Sequence, residues 1–70
     1  MAMADGERLI SRAEVGLMLR VPPSTLANWA ALSRGPRYYR VGRHARYRMA
    51  DVTRWLEGNA RVPEHGRAAR

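Results

Sequence analysis

The chain has 70 residues, with 13 arginines, no lysine, six acidic residues, no cysteine and a net charge of +7. A chain of this length forms one small domain with a modest core, and it can form neither a disulfide nor a thiolate metal site. Its two histidines lie far apart, no apolar run approaches the roughly 18 residues of a membrane span, and the N-terminus does not resemble a signal peptide. We therefore expect no metal, no other cofactor, no membrane partner and a cytoplasmic protein.

The whole net charge lies in one interval of the chain. Residues 15–50 contain seven arginines and no Asp or Glu, whereas elsewhere six arginines balance six acids. Six of the seven fall between Arg34 and Arg48, interleaved with three tyrosines and His44. Such a concentrated field favours a polyanion as partner, because a surface that only maintains solubility usually mixes both signs.

The first predicted helix covers about residues 12–20. Residues 11–14, Ser-Arg-Ala-Glu, have the spacing of a capping box. An apolar stripe follows at Val15, Met18 and Leu19. Gly16 is unfavourable inside a helix by roughly 1 kcal/mol, which predicts close approach of a second helix. Leu17 lies outside the stripe and is expected to be exposed, either as a lone apolar residue or as part of a protein contact.

A second helix is predicted after residues 21–23, Val-Pro-Pro. Pro23 suits the first helical position, where no amide is needed. The expected inward face consists of Leu26, Trp29 and Ala30, and Gly35-Pro36 is expected to end the helix. Two helices joined by so tight a turn have helix-turn-helix spacing.

A β-hairpin and a third helix complete the predicted domain. Residues 38–41 and 46–49 alternate with period two around a turn at 42–45, which predicts a hairpin with Val41 and Tyr47 facing inward. The residues expected to face solvent are Arg40, Arg46 and Arg48. The third helix is predicted over residues 50–57, with Asp51 near its positive end and an apolar stripe at Val52, Trp55 and Leu56.

The aromatic residues are interpreted mainly as structural. Trp29 and Trp55 lie on apolar stripes and are predicted to anchor the core. Tyr38, Tyr39 and Tyr47 are predicted to support the core or the hairpin. The alternative for the tyrosines is a platform on which the bases of RNA or single-stranded DNA stack.

The order helix, turn, helix, basic hairpin, helix predicts a mainly α fold, a winged helix-turn-helix with three helices and a two-stranded wing. We expect this domain over residues 9–58, with flexible segments at 1–8 and 59–70. The stretches AEVGLMLRVPPSTLANWA and GPRYYRVGRHARYRMADVTRWLEG resemble the excisionase family of small phage DNA-binding proteins, related to MerR-type and AlpA-type domains. The resemblance covers about residues 9–58.

The resemblance implies that double-stranded DNA is the partner, with the second helix in the major groove and the wing in the adjacent minor groove. Ser24 and Thr25 suit phosphates, and Asn28 suits an adenine edge. The alternatives are helix capping for the first two and an ordinary exposed polar residue for the third. The wing tip consists of Arg43, His44 and Arg46. The arginines expected on phosphates are Arg20, Arg34, Arg37, Arg40 and Arg48.

Three positions depart from the family pattern. Pro22 stands where a Ser or Thr cap is common, Arg20 stands where Gly is common, and Leu17 is apolar where a polar residue is expected. The first makes the start of the second helix uncertain, and the second changes the turn or adds a phosphate contact. The third is consistent with contact between neighbouring copies.

The leading hypothesis is a phage excisionase, or recombination directionality factor, in the cytoplasm of the host cell. It would bind and bend attachment-site DNA together with neighbouring copies and assist the phage integrase. One alternative is a small prophage-type transcriptional regulator, and another is a protein-interaction module that docks an acidic partner. No nucleophile with a base, acid pair or phosphate loop is evident, so we expect neither an enzyme nor a small-molecule substrate.

Overall fold

The structure of the chain is a computed structural model that describes residues 5–61. It begins with a 3-10 helix, Asp5–Glu7, that packs against the last helix. The remaining elements in chain order are β1 (Leu9–Ser11), α1 (Arg12–Leu19), α2 (Pro23–Ala31), β2 (Tyr39–Val41), β3 (His44–Arg48) and α3 (Met49–Gly58). The predicted three helices and basic hairpin are confirmed. The predicted flexible segments fall largely outside the described residues, and the domain limits stay predictions.

The sheet has three antiparallel strands in the order β1-β3-β2. Besides the hairpin strands β2 and β3, it contains β1, which pairs with β3 so that Ile10 lies opposite Tyr47. The predicted turn at residues 42–45 is too long, because His44 already pairs with Val41 in β3. The loop is therefore Gly42-Arg43, and Gly42 has a φ of 64°, which suits the first position of a two-residue hairpin loop.

Five buried side chains form the core where the sheet meets the helices. They are Ile10, Val15, Leu26, Tyr47 and Val52. Two members of the predicted helix stripes, Met18 and Leu56, are about half exposed, because so small a domain cannot bury a complete stripe on each helix.

The tryptophans lie beside the core instead of inside it. Trp29 is half-buried and packs against the core, and Trp55 is also half-buried. Their ring centroids are 5.4 Å apart, with a 40° angle between the ring planes. The prediction that both anchor the core therefore holds for Trp29 and is corrected for Trp55, which packs on the Trp29 ring and joins α3 to α2 at the edge of the core.

Strand alternation overturns one inward assignment. Val41 is 50% exposed, although it was predicted to face the core. Arg40 pairs with Ala45, and residues directly opposite in an antiparallel pair share a face of the sheet. Since Ala45 packs against the core, Val41 must lie on the outer face.

The predicted capping box of α1 is present. The Glu14 amide donates to the Ser11 hydroxyl at 3.1 Å, and the Ser11 amide donates to Oε1 of Glu14 at 2.8 Å. The backbone hydrogen bond from Ser11, followed by the one from its side chain, lowers the pKa of Glu14 below its usual value. The box therefore fixes where α1 begins.

The two helix ends that follow are set by left-handed residues. Arg20 has a φ of 60° and a ψ of 42°, and its amide donates to the Gly16 carbonyl. After α2, Ser33 has a φ of 58°, and the amide of Arg34 donates to the Trp29 carbonyl at 2.7 Å. This 6→1 hydrogen bond is typical of a Schellman motif, which ends α2 before Gly35-Pro36.

At the start of α3, Asp51 is only 7% exposed, and its Oδ2 has no hydrogen-bond partner within residues 5–61. The sequence placed Asp51 correctly in the first turn of α3. Its burial was not foreseen, because the pattern of charges along a helix does not show which first-turn residue lies under a neighbouring element.

Close packing requires glycine at position 16. The close neighbour is the turn between α1 and α2, and not the body of the second helix as predicted. A Cβ at Gly16 would lie 2.7 Å from the Val21 carbonyl oxygen and 3.5 Å from the nitrogen of Pro23. We expect Gly16→Ala to destabilise the domain by about 1–2 kcal/mol in urea denaturation, since the clash exceeds the gain in helix propensity. Gly58→Ala is the control, because a Cβ there meets nothing within 4 Å. Equal stability of the two variants would contradict this packing.

Candidate nucleic-acid interface

The outer face of α2 carries small side chains and one amide. Ser24, Ala27, Asn28 and Ala31 recur at helical spacing and are all exposed, whereas Thr25 is half-buried. The small neighbours leave Asn28 as the longest side chain on this face. A helix face of this shape can approach a partner surface closely and present one amide to it.

The N-terminus of α2 lacks a side-chain cap. Pro22 occupies the cap position with no side-chain hydrogen bond, and Pro23 has no amide. The Thr25 amide donates to the Pro22 carbonyl at 2.9 Å. Ser24 and Thr25 therefore lie inside the first turn and do not cap it, which leaves the Ser24 amide and hydroxyl available to an anion at the positive end of the helix.

Arg20 lies in the turn between the two helices in a conformation unusual for its residue type. Left-handed backbone costs a non-glycine residue roughly 1–2 kcal/mol. The amides of Arg20 and Val21 both donate to the Gly16 carbonyl, which holds the turn in this conformation. The Arg20 side chain is exposed, so a strained backbone position presents a positive charge beside the start of α2.

The hairpin divides its basic residues between two faces and a tip. Arg40 shares the face of Ala45 but is exposed. His44, Arg46 and Arg48 alternate onto the outer face of β3. Arg43 is exposed at the tip of the two-residue loop. A narrow hairpin built this way presents positive charge on both of its sides, as expected for an element that lies between two phosphate backbones.

Arg46 is the least available of the predicted wing residues. It is half-buried, and its guanidinium donates to the carbonyl of Ala45 at 2.9 Å. Arg43 and His44 are exposed beside it. Arg40, Arg43 and His44 are therefore exposed on the two faces and at the tip of the hairpin, whereas Arg46 pairs with Tyr39, one position nearer to its base.

The outer face of the sheet places two predicted arginines on one tyrosine. The guanidinium carbons of Arg37 and Arg48 each lie 5.2 Å from the centroid of the Tyr39 ring. Cation–π contact of this kind orders both charges and occupies the ring. Arg34 is exposed just after α2, on the path from that helix to the hairpin.

The other two tyrosines belong to the fold. Tyr47 is fully buried, and its ring centroid lies 5.7 Å from that of Tyr38, which packs against the core. Arg12 covers the pair: its Nε donates to the Tyr47 hydroxyl at 3.1 Å, and its guanidinium carbon lies 5.2 Å from the Tyr38 centroid. The geometry therefore favours the structural interpretation of these rings over base stacking. Sequence reasoning gave Arg12 no role, because nothing local signals a partner 35 residues away.

Each helix in the described part of the chain is too short or too polar to span a bilayer. Residues 5–61 also contain no group of three or more acidic or histidine side chains arranged to hold a metal ion.

Comparison with known families identifies the region that contains these features. A family model described as a helix-turn-helix domain matches residues 9–60, which is most of the chain. A search of the curated proteins gave no match.

Proposed function

Because the chain belongs to the helix-turn-helix domain family and is a DNA-binding protein, we propose that it is a phage excisionase that binds and bends attachment-site DNA. The observation that carries this proposal is the joining of an uncapped helix, α2, to a hairpin with positive charge on both sides and at its tip. Six of the seven net positive charges lie between Arg34, just after α2, and Arg48, at the end of β3. The resemblance of the same residues to excisionases favours recombination over other uses of the fold.

In this proposal α2 enters the major groove and the hairpin enters the adjacent minor groove. Asn28 reads an adenine edge, since its side-chain NH2 can donate to N7 of adenine while its carbonyl oxygen accepts from the exocyclic amine. Ser24, Thr25 and the arginines outside the wing tip bind phosphates and fix the register. Arg43 and His44 enter the minor groove, where the negative potential is enhanced when the groove is narrow.

The protein bends the DNA, and an integrase carries out the chemical steps of recombination. Bending a site of 20–30 bp costs on the order of 1–6 kcal/mol, which groove and phosphate contacts offset. A single small domain binds one site weakly, so neighbouring copies on adjacent sites raise the effective affinity. The bent array then helps the integrase assemble the excisive complex in the host cytoplasm.

A footprint combined with a circular-permutation bend assay on candidate attachment DNA tests this function. We expect several tandem sites in the same orientation, a bend, and dependence of integrase-mediated excision on the protein. A single unbent promoter site with no effect on excision would contradict the proposal and identify a transcriptional regulator.

Asn28→Ala tests base reading by α2. We expect the variant to lose preference at one or two base pairs, by about 1–3 kcal/mol at those positions, while its affinity for other sequences changes little. Binding selections from a randomised duplex library measure this directly. An unchanged sequence preference would mean that Asn28 is an ordinary exposed residue.

Arg20→Gly separates stability from binding at the turn. Because glycine adopts the left-handed conformation at little cost, we expect a stability gain of about 1 kcal/mol. Because the positive charge is lost, we expect weaker DNA binding and a slope of log K against log salt that is shallower by about one. Ser33→Gly is a matched control, because Ser33 is also left-handed and exposed. It should gain stability and keep full affinity. Unchanged DNA affinity of Arg20→Gly would remove Arg20 from the interface.

A further inference from the structure

An apolar groove lies between the outer face of α1 and the turn that follows it, beside the DNA interface at Arg20. The groove has a volume of about 700 Å³ and is lined by Ala13, Gly16, Leu17 and the turn residues 20–23. Leu17 stands at its edge and is 81% exposed, the most exposed large apolar side chain of the described residues. Arg20 is the one charged residue that lines it within residues 5–61. Apolar surface of this kind marks a contact site.

A second groove, which we call the α3 groove, combines apolar surface with a net negative charge. It lies between the 3-10 helix and α3, has a volume of about 500 Å³, and includes apolar surface from Gly6, Met49 and Ala50. Asp5, Glu57 and Arg54 also line it, so its net charge is negative on an otherwise basic chain. Thr53 is exposed within it.

We propose that Leu17 of one copy inserts into the α3 groove of the next copy along the DNA. The inference rests on the proposed function, because it requires copies on adjacent sites. The contact joins two different surfaces, so it is heterologous and extends into an open array instead of closing a twofold dimer.

The charges of the chain explain why a second copy binds in the α3 groove and why this contact forms only on DNA. The α3 groove is a net acidic surface of the chain, so a protruding leucine on a copy whose net charge is +7 meets an attractive field there. Free copies repel one another, since each carries +7. Phosphates neutralise that charge when the copies lie side by side.

Duplexes with one and with two tandem copies of the footprinted site test the contact. Leu17→Ser and Thr53→Trp should each lower cooperativity on the two-site duplex by about tenfold or more, the scale of one leucine removed from water. Affinity for the one-site duplex should not change. Leu56→Ser is the control, because Leu56 is also exposed but lines neither groove. Full cooperativity of both variants would overturn the inference and leave the proposed function standing. A wild-type protein that fails to bind the one-site duplex would overturn both.

Cross-linking tests the polarity of the contact, and the chain is suited to it because it has no cysteine. On duplex DNA, a mixture of Ala13→Cys and Thr53→Cys proteins should give a dimer with a short bis-maleimide, because Ala13 is exposed in the groove beside Leu17 and its replacement keeps the inserting leucine. Either protein alone should remain monomeric, and the doubly substituted protein should give a ladder. Cross-linking of Ala13→Cys to itself, or none in the mixture, would overturn the proposed arrangement.

Discussion

Tyr47→Ala is expected to destabilise the domain by about 3–5 kcal/mol, the range for a large aromatic side chain removed from a core. Tyr47 is 1% exposed in the central strand, and its hydroxyl accepts the hydrogen bond from Arg12. A domain of this size has a total stability of roughly 3–10 kcal/mol, so the loss is sufficient to unfold much of the protein at 37 °C. Urea denaturation followed by circular dichroism measures the effect.

Two further tyrosine variants show whether burial is the cause. Tyr47→Phe keeps the ring and removes only the acceptor for Arg12, so we expect a loss of about 1 kcal/mol. Tyr39→Ala removes a ring on the outer face of the sheet and should cost about 1–2 kcal/mol through its two cation–π contacts. A Tyr47→Ala variant as stable as Tyr39→Ala would contradict the position of the core.

The double variant Arg40→Ala/Arg43→Ala is expected to weaken binding to all DNA sequences by about 100-fold or more. Each arginine is exposed on the hairpin, and a charge-assisted contact is worth roughly 1.5–3 kcal/mol. If about five phosphates are neutralised, the wild-type log K should fall with log salt at a slope of about −4 to −5. Loss of two contacts should make the slope shallower by about two. Fluorescence anisotropy at several salt concentrations gives both quantities.

Arg54→Ala is the matched control for charge on a duplex with one site, where no neighbouring copy reaches the α3 groove that Arg54 lines. Arg54 is exposed on α3, outside the interval that holds the net charge. Its removal should leave the affinity within a few-fold of wild type and the slope nearly unchanged. Equal losses in Arg54→Ala and in either single hairpin variant would show that net charge alone, and not the hairpin, determines binding.

The helices and the hairpin could be predicted because their signals are local. The capping box at Ser11 and Glu14, the proline at the start of α2 and the Gly42 turn each constrain only a few neighbouring residues. The short strand β1 could not be predicted, since three residues carry too little alternation to distinguish a strand from a loop. Its position is set by the pairing of Ile10 with Tyr47, which is a long-range contact.

The candidate interface divides in the same way. The concentration of arginine was visible in the sequence, and so was the exposed face of α2 with Asn28. The strand register decides which face of the hairpin each residue occupies. This register could not be predicted from the sequence, and Val41 was therefore assigned to the wrong face. The left-handed conformation of Arg20 was also hidden, although its replacement of a common glycine at that position was a warning of strain.

One NMR titration tests the central claim most directly, namely that α2 and the hairpin bind the same duplex together. With a duplex containing one footprinted site, amide signals of residues 24–28 and residues 42–45 should move in parallel and yield one dissociation constant. The amides of α3 should remain close to their free positions. Shift changes confined to one of the two segments, or two clearly different dissociation constants, would contradict simultaneous binding of one duplex by α2 and the hairpin.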